Sequence, residues 1–349
     1  MPKSITEQDV LNQLRTVMDP ELHKDLVSLG MIKYIKVSET NDVEFTIELT
    51  TPACPLRNRI ETDAREAVMR IEGINQVKIN MSARVAQNQQ LKEKVEISVK
   101  NIVAVSSGKG GVGKSTVAVN LAVALANTGA KVGLMDADFY GPNVPTMMGV
   151  SEIPGPQNNK IIPAIAHGVK VMSIGFLVKP GQPLIWRGPL LHSTIRQFLV
   201  DVEWGELDYL VVDMPPGTGD VQLSLAQHIP VTCGLIVTMP QKVSLDDASR
   251  GIEMFQKLNI PIAGVIENMG PMTLPDGSTL DIFGEGGGEQ MAGAYGINFL
   301  GRIAIDPEIR KFGDSGVPIV KQSPDSKPGM QFNAIACELA SYISRLNMQ

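Results

Sequence analysis

No apolar run in the chain approaches the 18 or so residues that cross a bilayer. The start, Met1-Pro-Lys-Ser-Ile-Thr-Glu-Gln-Asp-Val10, has no hydrophobic signal core. Three cysteines in 349 residues are an odd and sparse set, which argues against a secreted disulfide framework. Together these shortages make a reducing cytoplasm the expected compartment. Basic residues are also in deficit, 31 Lys and Arg against 37 Asp and Glu, for a formal charge of −6. Such a chain does not advertise a broad nucleic-acid surface, so no nucleic-acid partner is expected. The tail from Gln331 to Gln349 holds one arginine and no lysine. That argues against a basic amphipathic membrane anchor. The four histidines, His23, His167, His192 and His228, show no metal-ligand spacing.

What the chain does contain is a phosphate-binding loop. Gly108-Lys-Gly-Gly-Val-Gly-Lys-Ser-Thr116 fits the spacing Gly-x4-Gly-Lys-Ser. It lies between a strand-like run, Ile102 to Ser106, and a helix-like run, Thr116 to Thr128. Gly108, Gly110, Gly111, Val112 and Gly113 allow a tight curve whose successive N–H groups face a phosphate. Lys114 is placed to neutralise the β- and γ-phosphates, and the Ser115 hydroxyl to ligate Mg²⁺. Thr116 then opens a helix whose N-terminus adds partial positive charge. Lys109 is not required by the loop geometry. It is either a solvated charge or a group reaching a phosphate bound by a second subunit.

At this length, and with 43% hydrophobic residues, two domains with real cores are expected. Residues 1–81 read as a small α+β domain: helix Thr6 to Val17, strands Met31 to Val37 and Asp42 to Leu49, helix Arg57 to Glu72, closing strand Val77 to Met81. Residues 82–98 are polar, rich in Gln, Lys and Glu, and read as a linker. Residues 99–349 alternate strand and helix, with short apolar strands at Ile102–Ser106, Val132–Asp136, Tyr209–Asp213, Gly234–Thr238 and Ile262–Ile266. This is the pattern of an α/β P-loop domain with a mostly parallel sheet flanked by helices.

Acids fall at the strand ends, where open α/β sheets bind ligands. Asp136 is a candidate for a magnesium-bound water and Asp138 for orienting the attacking water; the alternative is a polar turn. Asp213 ends an apolar strand in the Walker B manner and is a second candidate for Mg²⁺. Gly217, in the following Pro-Pro-Gly-Thr-Gly-Asp loop, is a candidate to offer an N–H to a γ-phosphate; the alternative is a simple turn after the strand. Asn268, at another strand end, carries both donor and acceptor for an adenine edge. The glycine run 284–288 reads most simply as a mobile turn. Cys233 and Cys337 lie in apolar runs and are expected as small core residues. Cys54 precedes a helix whose N-terminus lowers a thiol pKa, so it is either a functional thiol or a buried one.

The loop resembles the deviant Walker A of the ParA/MinD/nitrogenase iron-protein ATPases, and the chain as a whole resembles the Mrp/ApbC group. The residues that carry the likeness are the loop itself, Asp-Ala-Asp-Phe-Tyr-Gly-Pro-Asn (136–143), Trp-Arg-Gly-Pro (186–189), Asp-Met-Pro-Pro-Gly-Thr-Gly-Asp (213–220) and Ile-Phe-Gly-Glu-Gly-Gly-Gly (282–288). The first 80 or so residues resemble a SufT-like domain. The resemblance implies an ATP-hydrolysing homodimer in which Lys109 acts across the interface. It also implies Asn268 at adenine with 306–308 nearby, and carriage of iron–sulfur clusters to apoprotein clients. A MinD/ParA-like switch or adaptor that binds no cluster is the alternative. The sequence departs from the group at one place. Residues 270–281, where the carriers usually place Cys-x-x-Cys, contain no cysteine, so four thiolates cannot come from there. The SufT-like resemblance leaves Cys54 as a candidate thiol ligand.

Overall fold

The computed structural model describes residues 5–89, 97–139, 141–177 and 188–348. The expected linker stretch 90–96, Tyr140 and the Trp186-Arg187 half of Trp-Arg-Gly-Pro lie outside the described residues. Contacts divide the chain into two compact units, Met1–Ala86 with Ala340–Gln349, and Gln87–Leu339.

In the first unit α1 (Glu7–Leu14) starts at a reciprocal cap. Thr6 Oγ1 accepts from the Asp9 N–H and Asp9 accepts from the Thr6 N–H, which satisfies two orphan donors. The helix stops short of the expected Val17. Instead the Val17 carbonyl accepts from the Leu26 N–H and its side chain enters the core. A three-stranded sheet follows, β1 (Ile32–Val37), β2 (Asp42–Leu49) and β3 (Gln76–Ala83), with α2 (Arg57–Met69) before the last strand. Strand β2 buries Val43, Phe45, Ile47 and Leu49 in strict alternation, the period a half-covered strand requires. That face packs with Val10 and Leu14 of α1 and Ile60, Ala64 and Val68 of α2.

The second unit is an eight-stranded sheet. Its strands are β4 (Val99–Ser107), β5 (Val132–Asp136), β6 (Ala164–Ala166), β7 (Val169–Ser173), β8 (Leu207–Asp213), β9 (Cys233–Thr238), β10 (Ile262–Gly270) and, after a hairpin of β11 (Met272–Thr273) and β12 (Thr279–Leu280), β13 (Phe299–Ala304). The order is β13-β10-β9-β4-β8-β5-β7-β6. Every neighbouring pair is parallel except β6 with β7. Helices α3 (Lys114–Asn127), α4 (Gly188–Val200), α5 (Asp220–His228), α6 (Lys242–Lys257), α7 (Gly287–Tyr295), α8 (Pro307–Asp314) and the part of α9 (Lys327–Asn347) up to Leu339 complete the α/β fold. Strands β5 and β9 are buried at every residue, so they read as continuous apolar runs rather than alternating ones.

Three local readings change. The glycine run opens α7 instead of forming a free turn. Strand β10 extends past Ile266 to Gly270, through an irregular step against β13 between Glu267 and Gly270. Cys233 is buried as expected, but Cys337 is only half-buried. The buried stripe of α9 runs through Phe332, Ile335, Ala336, Leu339, Ala340 and Ile343, and one residue beyond Ala336 is a rotation of about 100° off that stripe. No helix among the described residues is long and apolar enough to cross a membrane.

Candidate nucleotide-binding site

Residues 108–113 link the end of β4 to α3, which begins at Lys114, two residues before the expected start. Ser115 and Thr116 therefore stand in the first helical turn, where backbone N–H groups have no intrahelical partner. Gly113 caps the helix in the left-handed region with φ 82°. A Cβ there would overlap the Asn268 amide nitrogen, which donates to the Val112 carbonyl at 2.8 Å. Gly108 is equally constrained, because a Cβ would run into the backbone of Asp247 on α6. The loop is thus locked from two sides. The Ser107 hydroxyl donates to the Lys109 carbonyl at 3.0 Å, while the half-exposed Lys109 side chain makes no ion pair among the described residues.

Behind the loop the carboxylates converge. Parallel pairing of β8 with β5 sets Asp213 directly beside Asp136, and both are fully buried. Lys114 Nζ donates to Asp213 Oδ1 at 2.6 Å and lies 3.9 Å from Asp138 Oδ2. Asp136 Oδ1 accepts the Asp138 N–H at 3.1 Å. Its Oδ2 accepts the Ser173 hydroxyl at 2.8 Å and the Val144 N–H at 3.4 Å. Burial, and then the neighbouring Asp213 charge, push the Asp136 carboxyl up from 3.8 to about 7. Asp213 Oδ2 is buried with no hydrogen-bond partner, a costly arrangement unless something fills it.

That orphan acceptor is the observation that fits a hydrated cation. Ser115, Asp136 and Asp213 supply hard oxygen donors, the kind Mg²⁺ takes while keeping several waters. Among the described residues no three His, Cys, Asp or Glu side chains are grouped to hold a metal unaided. A cation here would therefore depend on phosphate and water for the rest of its shell. The Gly217 N–H donates to the Ser107 carbonyl at 3.1 Å. It would have to leave that bond to reach a phosphate.

Beside the loop lies a cavity of about 460 Å³, within the range of small-molecule sites. Its lining includes Gly113, Thr116, Asn268 and Met269, the pair Ile282 and Phe283, and Ala304, Ile305, Asp306, Ile309 and Arg310. Met269 is held at φ 57°, an unusual conformation for a side chain of this type, at the irregular step that ends β10. Asp306 lines the cavity, but its carboxylate caps α8 by accepting the Glu308 N–H at 2.8 Å. Pro307 and Glu308 are helical rather than a loop against the base. The sequence reading assigned no role to Ile282, Phe283 or Arg310; an apolar pair inside a polar, glycine-rich run was the available signal. Cys54 sits in the first unit, half-buried against the small core.

A parallel sheet, a locked phosphate loop, a buried lysine–carboxylate pair and an adjoining apolar cavity define a nucleotide-binding P-loop protein. A family model of NUBPL iron-transfer P-loop NTPases matches residues 98–340, and one of iron–sulfur cluster assembly proteins matches residues 7–81. The chain belongs to the NUBPL iron-transfer P-loop NTPase family. It is 49% identical to the iron–sulfur cluster carrier protein of Synechocystis, covering 97% of this chain and 98% of that one. It is 42% identical to the chloroplastic Fe-S cluster assembly factor HCF101 of Arabidopsis thaliana over 99% of this chain and 65% of the plant protein. Among solved structures, the nucleotide-binding protein of Archaeoglobus fulgidus in complex with ADP is similar at 38% identity. Its TM-score is 0.57, over 65% of this chain and 90% of that one. The Pyrococcus furiosus cell-division ATPase MinD shares the fold at 25% identity and TM-score 0.53, over 68% and 97%.

Proposed function

We propose that this chain is an ATP-hydrolysing iron–sulfur cluster carrier or assembly factor, acting in the cytoplasm as a homodimer on apoprotein clients. The observation that carries the nucleotide half is Lys114, bonded at 2.6 Å to a carboxylate whose other oxygen is orphaned. Arriving phosphates offer Lys114 a better-matched anion and release Asp213. The carrier half rests on near-complete coverage by relatives named for that role.

The residues divide the work. N–H groups of Gly110 to Thr116 and the Lys114 ammonium hold the phosphate oxygens. Lys109, with no ion pair of its own among the described residues, is placed to neutralise charge on a neighbouring subunit's nucleotide. Ser115, Asp136 and Asp213 would hold Mg²⁺, directly or through water, and the ion would supply charge neutralisation at the β- and γ-phosphates. Asp138, fixed beside Lys114 and hydrogen-bonded through its N–H to Asp136, orients the attacking water. Asn268 and the apolar walls take the base. Catalysis on this plan is positioning and electrostatics.

The cluster is cargo, and its thiolates come from outside residues 270–281. Residues 270–281 hold no cysteine, and Cys233 is buried with its thiol pushed up to about 12, unsuited to a thiolate ligand. Anaerobic reconstitution of wild type and Cys54→Ser with iron and sulfide decides the matter. A cluster lost only in the variant places the cargo site in the first unit. No cluster in either protein leaves a switch ATPase or adaptor.

A further inference from the structure

Glu267 is fully buried, and no step of phosphoryl transfer uses it. It precedes Asn268 on β10, and parallel pairing with β13 sets it opposite Arg302. Arg302 Nε donates to Glu267 Oε1 at 2.5 Å. The same carboxylate accepts two backbone N–H groups, Gly286 on Oε1 at 3.0 Å and Gly288 on Oε2 at 2.7 Å. Both oxygens are therefore engaged, and three donors compensate one buried charge, the condition under which such a charge is tolerated.

What these bonds hold is the start of α7. A Cβ on Gly288 would lie 3.0 Å from Glu267 Cβ, and one on Gly287 would lie 2.6 Å from the Pro240 carbonyl oxygen. At Gly287 and Gly288 the segment is pressed against its neighbours without spare room, which accounts for those two glycines. Arg302 also reaches Glu285 at 2.6 Å, clasping the segment from the solvent side. Three residues before Gly286 stands Phe283, next to Ile282, and both line the cavity that Asn268 and Met269 also line. The residues on either side of the hairpin β11–β12 thus line one cavity. Asn268 and Met269 belong to the sheet; the segment after Phe283 is tied back to it through Glu267 and Arg302.

We infer that Glu267 is a positioning residue for the nucleotide base, holding Ile282 and Phe283 at the spacing a purine needs. This rests on the reading that the cavity takes the base of ATP. Base affinity and selectivity then depend on Glu267, whereas the chemical step does not. A carboxylate serving only to stabilise the fold would lower the amount of active enzyme and leave KM and selectivity in place.

The test measures kcat and KM for ATP and for CTP in wild type, Glu267→Gln, Arg302→Met and Asn268→Ala. Glu267→Gln removes the charge while keeping the shape. It should raise KM for ATP about tenfold, the loss of roughly one charge-assisted hydrogen bond. Its kcat for ATP and its KM for CTP should stay within about twofold, so that ATP-over-CTP preference collapses. Arg302→Met, at a partly exposed position, should move the same way by a smaller factor, and it decides the matter should Glu267→Gln fail to fold. Unchanged KM and selectivity in the folded variants overturn the proposal, as does an equal loss of kcat with both nucleotides. Wild type that prefers ATP and loses the preference only in Asn268→Ala keeps the cavity and sinks Glu267. Wild type with no preference sinks both.

Discussion

Replacing Lys114 by methionine keeps the apolar stem and removes only the ammonium group that bonds Asp213 at 2.6 Å and stands 3.9 Å from Asp138. The usual expectation is lost phosphate binding. The geometry adds a second effect, on the stability of the nucleotide-free protein. Asp136 and Asp213 are side by side and fully buried, and Lys114 is their nearby cation. Removing one partner of a buried ion pair destabilises by about 3–5 kcal/mol, because the other charge stays buried and unpaired. Proton uptake limits that loss. In wild type the Asp136 carboxyl is already raised from 3.8 to about 7. A raised acid pKa means that the folded state keeps a proton the unfolded chain has released. The favourable contribution is therefore complete below 3.8 and is lost as pH climbs towards 7. Without Lys114 a lowering influence disappears, so the descending window extends further upwards. Nucleotide-free Lys114→Met should then lose about 1–2 kcal/mol at pH 6, where the pair holds a proton, and about 3–5 kcal/mol at pH 8.5. Urea unfolding with EDTA present, at both pH values, reads this directly. Adding Asp213→Asn should restore most of the stability, because the orphan charge is gone, without restoring ATP binding. An equal loss at both pH values, or no rescue by Asp213→Asn, refutes the reasoning.

Lys109→Ala should cut turnover by an order of magnitude or more while leaving ATP affinity within about threefold, since arginine-finger-type cations act on the transition state; equal losses in both would remove its role across a dimer interface. Gly108→Ala places a methyl group against the Asp247 backbone, where neither side is a flexible side chain. Thermal unfolding should show a loss of about 2 kcal/mol or more, and a Tm matching wild type would mean that α6 is not fixed on the loop.

The strands that carry the site were legible because a strand buried on both faces needs no alternation. Val132–Asp136 was read with its true limits, and Asp42–Leu49 of the small domain was equally plain for the opposite reason, its period of two. The start of α3 was hidden by its own motif. Lys114 and Ser115 read as loop chemistry, yet Gly113 turns the chain into the helix just before them. Register was not legible at all. Asp136 and Asp213 become neighbours only because β8, which follows β5 by some 70 residues, inserts between β4 and β5. Nothing in the local sequence marks Glu267 either, since its donors lie 19, 21 and 35 residues further on.

The segment without cysteines is where sequence and structure together say more than either alone. Residues 270–281 could have been a loop left slack by a missing cluster. Instead they form a closed hairpin. Leu274 exchanges backbone bonds with Ser278 and Gly277, and Asp276 accepts from both the N–H and the hydroxyl of Ser278. Asp281 then fastens the exit by accepting the Gly284 N–H at 2.6 Å. A Pro-Asp-Gly turn of this kind is complete in its own hydrogen bonds and needs no metal to hold it. The segment is thus self-sufficient, and the residues on either side of it, Asn268 and Met269 before and Ile282 and Phe283 after, line one cavity. Cluster carriage by this protein must then draw its thiolates from elsewhere, and Cys54 is the cysteine outside the nucleotide-binding unit.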